Sequence, residues 1–252
     1  MDITNHLVLG LPISVAEVGT IYQPTLEELV MAYGDIDDFF FPFMMNKNIY
    51  SEYFGENEID NIKDFDLFFV LDEKGEFLFK GRSDNFLIYD LMSSLSLIFR
   101  SDKVDLIYEN EIIVIDDKIE INRYNFDIIS KIILEMGMKE KFQPPEKLTF
   151  KSERKRKLHE KIEQRRAEIR RRNAPTTGDL INTLVNNPVR GFSFEEVKKI
   201  TVWQLLNSYK EILNIDNHEQ TMKYKVSYKY NVEDEVQHWR KANKMQKIII
   251  DK

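Results

Sequence analysis

One strongly basic segment, residues 147–173, constrains the fold of this chain more than any other feature. It reads KLTFKSERKRKLHEKIEQRRAEIRRRN and holds twelve Lys or Arg and four Glu, a net charge of +8. The whole chain has 36 basic and 43 acidic residues, so the remainder has 24 and 39, a net charge of −15. The segment contains neither Gly nor Pro, and Ala, Leu, Glu, Gln, Lys and Arg fill most of it, which predicts one long helix.

The apolar stripe of this helix is narrow. Leu158, Ile162 and Ile169 recur at spacings of four and seven residues, which places them on one side of a helix. So few apolar side chains bury little surface, and we expect much of the helix to face water or a partner. Three interpretations stay open: a connecting helix that is solvated or docks on its own chain, a helix that binds an acidic protein, and a helix that binds nucleic acid.

Nucleic acid is the less favoured partner. The basic segment has no aromatic side chain after Phe150 on which bases could stack, and it lacks the heptads of a zipper-type basic region. Trp203 and Trp239 lie at helical spacing from other apolar residues, so each is either a core residue or, if exposed, an interface anchor. The predicted partner-binding residues are Arg154, Arg165, Arg166, Arg170, Arg171, Arg172, Trp203 and Trp239.

The regions on either side of the basic helix differ in pattern. Residues 1–142 mix β-branched runs with amphipathic stretches, which predicts an α+β domain with antiparallel strands. Two prolines at 144 and 145 mark its end, and the long basic helix is expected over 146–173. Residues 176–252 are predicted to form a mainly α-helical C-terminal domain. The predicted fold class is therefore α+β.

Local motifs predict the individual elements. In the N-terminal region we expect, in order, extended segments at 6–9 and 18–22, a helix opened by a Thr25–Glu28 capping box, and an aromatic segment that is irregular or short-helical and is broken at Pro42. A hairpin over 65–81, a helix capped by Asp84 that runs through residue 99, a meander of three strands over 104–121, and a helix capped by Asn122 that ends near Gly137 are expected to follow. In the C-terminal region we expect a short helix capped by Thr176 or Thr177, a helix opened by a Ser193–Glu196 capping box, a segment at 218–230 that fits strand or helix, and a last helix over 232–244.

No pattern of catalytic or metal-binding residues appears. The chain has no cysteine, which excludes disulfides and thiolate nucleophiles. Its four histidines form no HExxH pair and lie at no metal-ligand spacing, and GxSxG, GxxxxGK[ST] and GxGxxG are absent. We predict a protein that is not an enzyme and uses no metal or cofactor. We also expect no signal peptide and no membrane span.

Four stretches carry a resemblance to known proteins. They are LGLPISVAEVGTIYQPTLEEL, NRYNFDIISKIILEM, FKSERKRKLHEKIEQRRAEIRRR followed by DLINTL, and ITVWQLLNSYKEI with a later HWRK. Together they resemble a family of tail-region proteins from phages and prophages of Gram-positive bacteria, similar to phage tail assembly and baseplate-hub chaperones. The resemblance implies a non-enzymatic protein of the host cytoplasm that helps to build a phage tail, or a minor component of the virion tail.

The expected function is thus tail or baseplate assembly through protein–protein contacts. Phage tail or baseplate proteins are the expected partners, a homo-oligomer is left open, and no membrane is expected. The alternative is a nucleic-acid-binding phage regulatory protein that uses the basic helix. An enzyme whose site shows no motif is a third class.

Overall fold

The computed structural model describes residues 1–54, 61–81, 85–143, 152–187, 191–226, 238 and 245–250. These residues form an α+β fold, as the sequence predicts. Two antiparallel sheets, one of two strands and one of three, lie among a larger number of helices. The buried apolar side chains form one hydrophobic cluster to which both halves of the chain contribute.

A short helix and a hairpin open the chain: α1 (Thr4–Leu9), β1 (Ile13–Val15) and β2 (Gly19–Ile21). The second predicted extended segment is confirmed as β2. The first is wrong, because its residues belong to α1. Ile3 and Leu7 are both fully buried, and a spacing of four residues matches one side of a helix rather than one face of a strand.

Helix α2 (Leu26–Tyr33) begins at the predicted capping box. The N–H of Thr25 donates to the Glu28 carboxylate at 2.7 Å, and the N–H of Glu28 donates to the Thr25 hydroxyl at 3.3 Å. Two of the helix's otherwise unpaired N-terminal donors are satisfied in this way. The capping box is confirmed.

The aromatic segment that follows is a short helix, α3 (Ile36–Met44), which is one of the two predicted forms. The predicted break at Pro42 is wrong, because the helix runs through this residue. A proline inside a helix costs about 3 kcal/mol, because it removes one hydrogen bond and crowds the preceding turn. Phe39, Phe40 and Phe43 are all buried, and this apolar burial outweighs the cost. The hydroxyl groups of Ser94 and Ser130 also donate to the carbonyl oxygens of Phe39 and Phe43, at 3.1 and 3.0 Å.

The predicted hairpin over 65–81 is mostly replaced by other structure. A 3₁₀ helix, Asp64–Phe69, takes the place of the first predicted strand, and another 3₁₀ helix, Lys47–Tyr53, precedes it in the chain. Of the expected hairpin, one bridge from Leu71 to Phe77 is present, around a turn in which Gly75 has a positive φ of 79°. Three consecutive apolar side chains (Leu67, Phe68 and Phe69) are buried, which a strand with one exposed face would not allow.

The central part of the chain follows the predicted order. It comprises α4 (Leu87–Phe99), β3 (Val104–Ile107), β4 (Ile112–Ile115), β5 (Ile119–Ile121) and α5 (Phe126–Met136). The three strands form an antiparallel meander in the order β3-β4-β5, with a 3₁₀ turn (Tyr108–Asn110) between the first two. The meander and both helices are confirmed. The predicted cap of α5 is wrong, because its N-cap is Asn125, and the Asn122 side chain accepts from the N–H groups of Tyr124 and Asn125 in the turn before the helix. Asp84, the predicted cap of α4, lies outside the described residues.

The C-terminal half is helical: α6 (Glu153–Asn173), α7 (Thr177–Val185), α8 (Phe194–Val197) and α9 (Val202–Lys225). Thr176 caps α7, and the Ser193–Glu196 box opens α8, both as predicted. A second box, Thr201 with Gln204, starts α9 after a break, so the single helix expected here is two. The ambiguous segment is helical to Lys225, and residues 227–230 and the predicted last helix lie outside the described residues, apart from the exposed His238.

The C-terminal helices pack on the N-terminal half. The N–H of Leu26 donates to the carbonyl of Ile200 at 2.9 Å, and the N–H of Glu27 donates to that of Lys198 at 3.1 Å. At the chain ends, the N–H of Ile250 donates to the carbonyl of Met1 at 2.9 Å. Helix α6 lies between these two halves in the sequence. Both halves contribute to one hydrophobic cluster, and none of the described residues of α6 belongs to it.

Candidate interaction surface

Helix α6 is exposed along its length. None of its described side chains is buried, and only His159 and Glu163 are half-buried. Its three large apolar side chains remain open to solvent: Leu158 is 59% exposed, Ile162 42% and Ile169 50%. The stripe that the sequence identifies is therefore not covered by any described part of the chain.

The charges of α6 are distributed unevenly around its axis. With 3.6 residues per turn, six Lys or Arg and no Glu fall in the half of the circumference centred on the apolar stripe. They are Arg154, Lys155, Lys161, Arg165, Arg166 and Arg172. The opposite half holds the other four Lys or Arg together with all four Glu, so its net charge is zero. We call the first half the stripe face; it has a formal charge of +6.

Ion pairs neutralise the opposite half more than the stripe face. Arg156 lies 2.6 Å from Glu153, and this hydrogen bond lowers the pKa of the Glu153 carboxyl below its usual value. On the stripe face Arg166 pairs with Glu163 at 2.8 Å. Among the described residues, no carboxylate lies within ion-pair distance of three other stripe-face cations: Arg154, Arg165 and Arg172.

The predicted site residues fall into three groups. Four of the arginines are exposed on α6: Arg154, Arg165, Arg166 and Arg172. Arg170 and Arg171 lie on the same helix, but their side chains, like Trp239, fall outside the described residues. Trp203 is 4% exposed at the start of α9, so it is a core residue rather than an interface anchor.

A second open surface, the outer face of the three-stranded sheet, was not identified from the sequence. Ile113, Ile115 and Ile121 are fully buried on the inner face. Because side chains alternate along a strand, the outer face carries the residues between them and their cross-strand partners. These are Asp105, Ile107, Ile112, Val114 and Glu120. An alternation of polar and apolar residues in the sequence would have located this face. In β4 the residues of both faces are apolar, so the sequence shows no such alternation.

A cleft of about 480 Å³ lies between the end of α5, helix α9 and residues 245–248. Its lining mixes both charges, with Glu135 and Glu211 near Lys139 and Lys210. Lys139 is paired with Asp37 at 2.8 Å. Within the described ranges, no three His, Asp or Glu side chains come together as metal ligands. Nor does any helix there combine the length and apolar character that a membrane span requires.

Comparisons with known proteins were made at three levels. No protein-family model matches the chain, no curated protein matches it, and no solved structure matches it. Its function is therefore inferred from its own exposed surfaces.

Proposed function

We propose that this protein is a non-enzymatic assembly protein of a phage tail or baseplate, either a chaperone or a minor structural component, and that it acts through protein–protein contacts made by α6. The observation that carries the proposal is a helix of 21 residues whose three large apolar side chains are 42–59% exposed. A helix usually buries such a stripe against its own fold, because each covered Leu or Ile contributes about 1.5–3 kcal/mol. Here a partner would supply that cover.

The chemistry of α6 specifies the kind of partner. A +6 face around an apolar stripe suits a protein groove with an apolar floor and acidic walls. Charge steers the encounter and fixes the orientation, and the apolar contact supplies most of the affinity. The four stretches that resemble tail-region phage proteins favour a tail or baseplate protein as the owner of that groove. On this proposal a chaperone acts in the host cytoplasm, whereas a minor structural component is also retained in the virion tail.

The test is a tagged pull-down from host cells that express the neighbouring genes, at low and moderate salt, with and without nuclease. We expect a tail protein to be retained after nuclease treatment. Replacement of Arg165, Arg166, Arg170 and Arg171 by Glu should abolish retention and leave the far-ultraviolet spectrum and unfolding midpoint unchanged. Retention that survives these replacements contradicts the proposal.

A matched control changes the same charge elsewhere. Lys74, Lys131, Lys199 and Lys223 are exposed and lie outside α6, so their replacement by Glu alters the net charge by the same amount. We expect this control to retain the partner. If it also loses the partner, the overall charge, and not α6, governs binding.

The second candidate function is a nucleic-acid-binding regulatory protein, favoured by Arg154, Arg165 and Arg172, for which no carboxylate of the described residues lies within ion-pair distance. It predicts an affinity that falls steeply with salt, because each neutralised phosphate releases counterions. Nucleic acid as the main co-purifying species, lost on nuclease treatment, supports this function. The absence of a gel shift at low salt removes it.

A further inference from the structure

The outer face of the β3-β4-β5 sheet has an apolar middle and acidic edges. Asp105 lies across from Val114, and Val114 lies across from Glu120, so one row of the sheet reads acid, apolar, acid. The next row pairs Ile107, which is 38% exposed, with Ile112, which is partly exposed. Cross-strand neighbours of this kind are about 5 Å apart, so the apolar side chains form one continuous patch.

The surroundings of this patch are acidic. Residues 102–120 hold seven Asp or Glu and two Lys, a net charge of −5. Glu109 and Glu111, in the turn between β3 and β4, are exposed beside Tyr108. One of the two lysines, Lys103, is already paired with Asp117. We call this surface, from Asp105 and Ile107 to Glu120, the acidic sheet face.

The stripe face of α6 and the acidic sheet face match in size and chemistry. Leu158 and Ile169 are eleven residues apart, which in a helix is about 16 Å. Three strands spaced about 4.8 Å apart, each three or four residues long, cover a patch of about 10 by 13 Å. A helix laid on a sheet is a common way to bury both surfaces. One face is +6 and the other lies in a segment of −5, so their charges are complementary as well.

The two faces do not cover each other within one chain, because both carry exposed side chains in the same structure. These are Leu158, Ile162 and Ile169 on the helix, and Asp105, Ile107 and Glu120 on the sheet. We propose that the stripe face of α6 binds the acidic sheet face of a second copy of this chain. The contact joins two different surfaces, so each added copy leaves one helix and one sheet face free, and the association runs head to tail. This inference rests on the proposed function, since it names a partner for the same helix.

The experiment is sedimentation equilibrium of the full chain over a range of concentrations at low salt. We expect the mean mass of the wild type to rise with concentration and to fall when salt is added. The helix variant, Arg165→Glu with Arg172→Glu, should weaken association at least about tenfold, because it opposes like charges across the contact. The sheet variant, Asp105→Asn with Val114→Thr and Glu120→Gln, should do the same. Circular dichroism checks that both variants fold.

Two further samples make the test specific. Arg156→Glu with Lys157→Glu makes the same charge change on the opposite half of α6, where both residues pair with Glu153, and it should associate like the wild type. A mixture of the helix and sheet variants should form species of two chains and no larger, because it contains one intact helix and one intact sheet per pair. A wild type that stays monomeric at every concentration overturns the inference, and so does a control that dissociates as the helix variant does.

The same variants in the pull-down separate this inference from the proposed function. Retention of a tail protein that depends on Arg165 and Arg172, by a chain that does not self-associate, overturns the second-copy contact and leaves the proposed function standing. A helix variant that changes neither self-association nor retention overturns both.

Discussion

The side-chain amide of Gln204 in α9 donates a 2.8 Å hydrogen bond to the carbonyl oxygen of Val8 in α1. The carbonyl oxygen of the same side chain accepts from the N–H of Thr201 at 2.9 Å and so completes the capping box. One residue therefore both starts α9 and fixes it to the N-terminal helix.

Replacement of Gln204 separates these two roles. Gln204→Glu keeps the oxygen that accepts from Thr201 but turns a second oxygen toward the carbonyl of Val8, so we expect a loss of about 1–3 kcal/mol in the free energy of unfolding. Urea denaturation measures it. The control, Glu196→Gln, makes the reverse change in the exposed capping box of α8 and should cost much less. If the Gln204→Glu protein is as stable as the wild type, the hydrogen bond to Val8 contributes nothing to stability and Gln204 acts only as a helix cap.

Gly137 ends α5 against an aromatic ring. A Cβ atom added there would lie 2.6 Å from Cε1 of Phe40, a residue that is 1% exposed. We expect Gly137→Ala to lower the unfolding free energy by about 1–3 kcal/mol through overpacking. Gly178→Ala is the matched control, because its Cβ would meet nothing closer than 3.6 Å and alanine favours the helix α7. The two variants should shift the thermal midpoint in opposite directions, and equal shifts would contradict this account.

Tyr33 should make stability fall at high pH. Burial raises the pKa of its hydroxyl to about 12, and the hydroxyl lies 3.0 Å from that of Ser94. In the unfolded chain a tyrosine loses its proton near pH 10, so between about pH 10 and 12 the folded state binds more protons than the unfolded state. This contribution to stability is complete below pH 10 and is lost as the pH rises toward 12.

Unfolding by urea at pH 9, 10 and 11 tests this dependence against Tyr33→Phe. The wild type should lose stability more steeply than the variant, because lysines and the other tyrosines contribute equally to both. Tyr124→Phe, at a position that is 80% exposed, should follow the wild type. Parallel curves for the wild type and Tyr33→Phe would refute the assignment.

Trp203 should matter for folding and not for partner binding. Its side chain is 4% exposed, so Trp203→Ala leaves a cavity and should cost about 3–5 kcal/mol. Differential scanning calorimetry gives the loss, and Trp203→Phe should recover part of it. If the Trp203→Ala protein keeps the wild-type thermal midpoint but no longer retains its partner, Trp203 is a binding residue and this prediction is wrong.

Elements whose signals are local were predictable from the sequence. The capping boxes at Thr25 and Ser193 form as expected, because each is satisfied by hydrogen bonds within four residues. The meander was predictable because β-branched residues fill its strands. The structure of short apolar runs could not be predicted, because a run that is buried on several sides shows no period. Leu7 belongs to a helix and Phe68 to a 3₁₀ helix, although both runs were expected to be extended.

Of the two candidate surfaces, one could be predicted from the sequence and the other could not. The exposure of α6 followed from its thin stripe, because three apolar side chains cannot hold a helix of this charge in a core. The acidic sheet face could not be foreseen, because β4 reads Ile, Ile, Val, Ile, and Ile112 and Val114 are as apolar as the buried Ile113 and Ile115. Only the packing of the inner face decides which side stays open.

The pairing of Met1 with Ile250 also affects the order in which contacts form during synthesis of the chain. Ile3 and Ile250 are 0% and 4% exposed, and the strand-like bonds that bury them join positions 249 residues apart. While the chain is being synthesised, the backbone groups of Met1 and Ile3 lack these hydrogen-bond partners until residues 248–250 have been made. Closing so long a loop adds little to the equilibrium cost, since that cost grows only logarithmically with length, but it makes this contact one of the last to form. The first three residues therefore reach their final burial later than segments whose contacts are local.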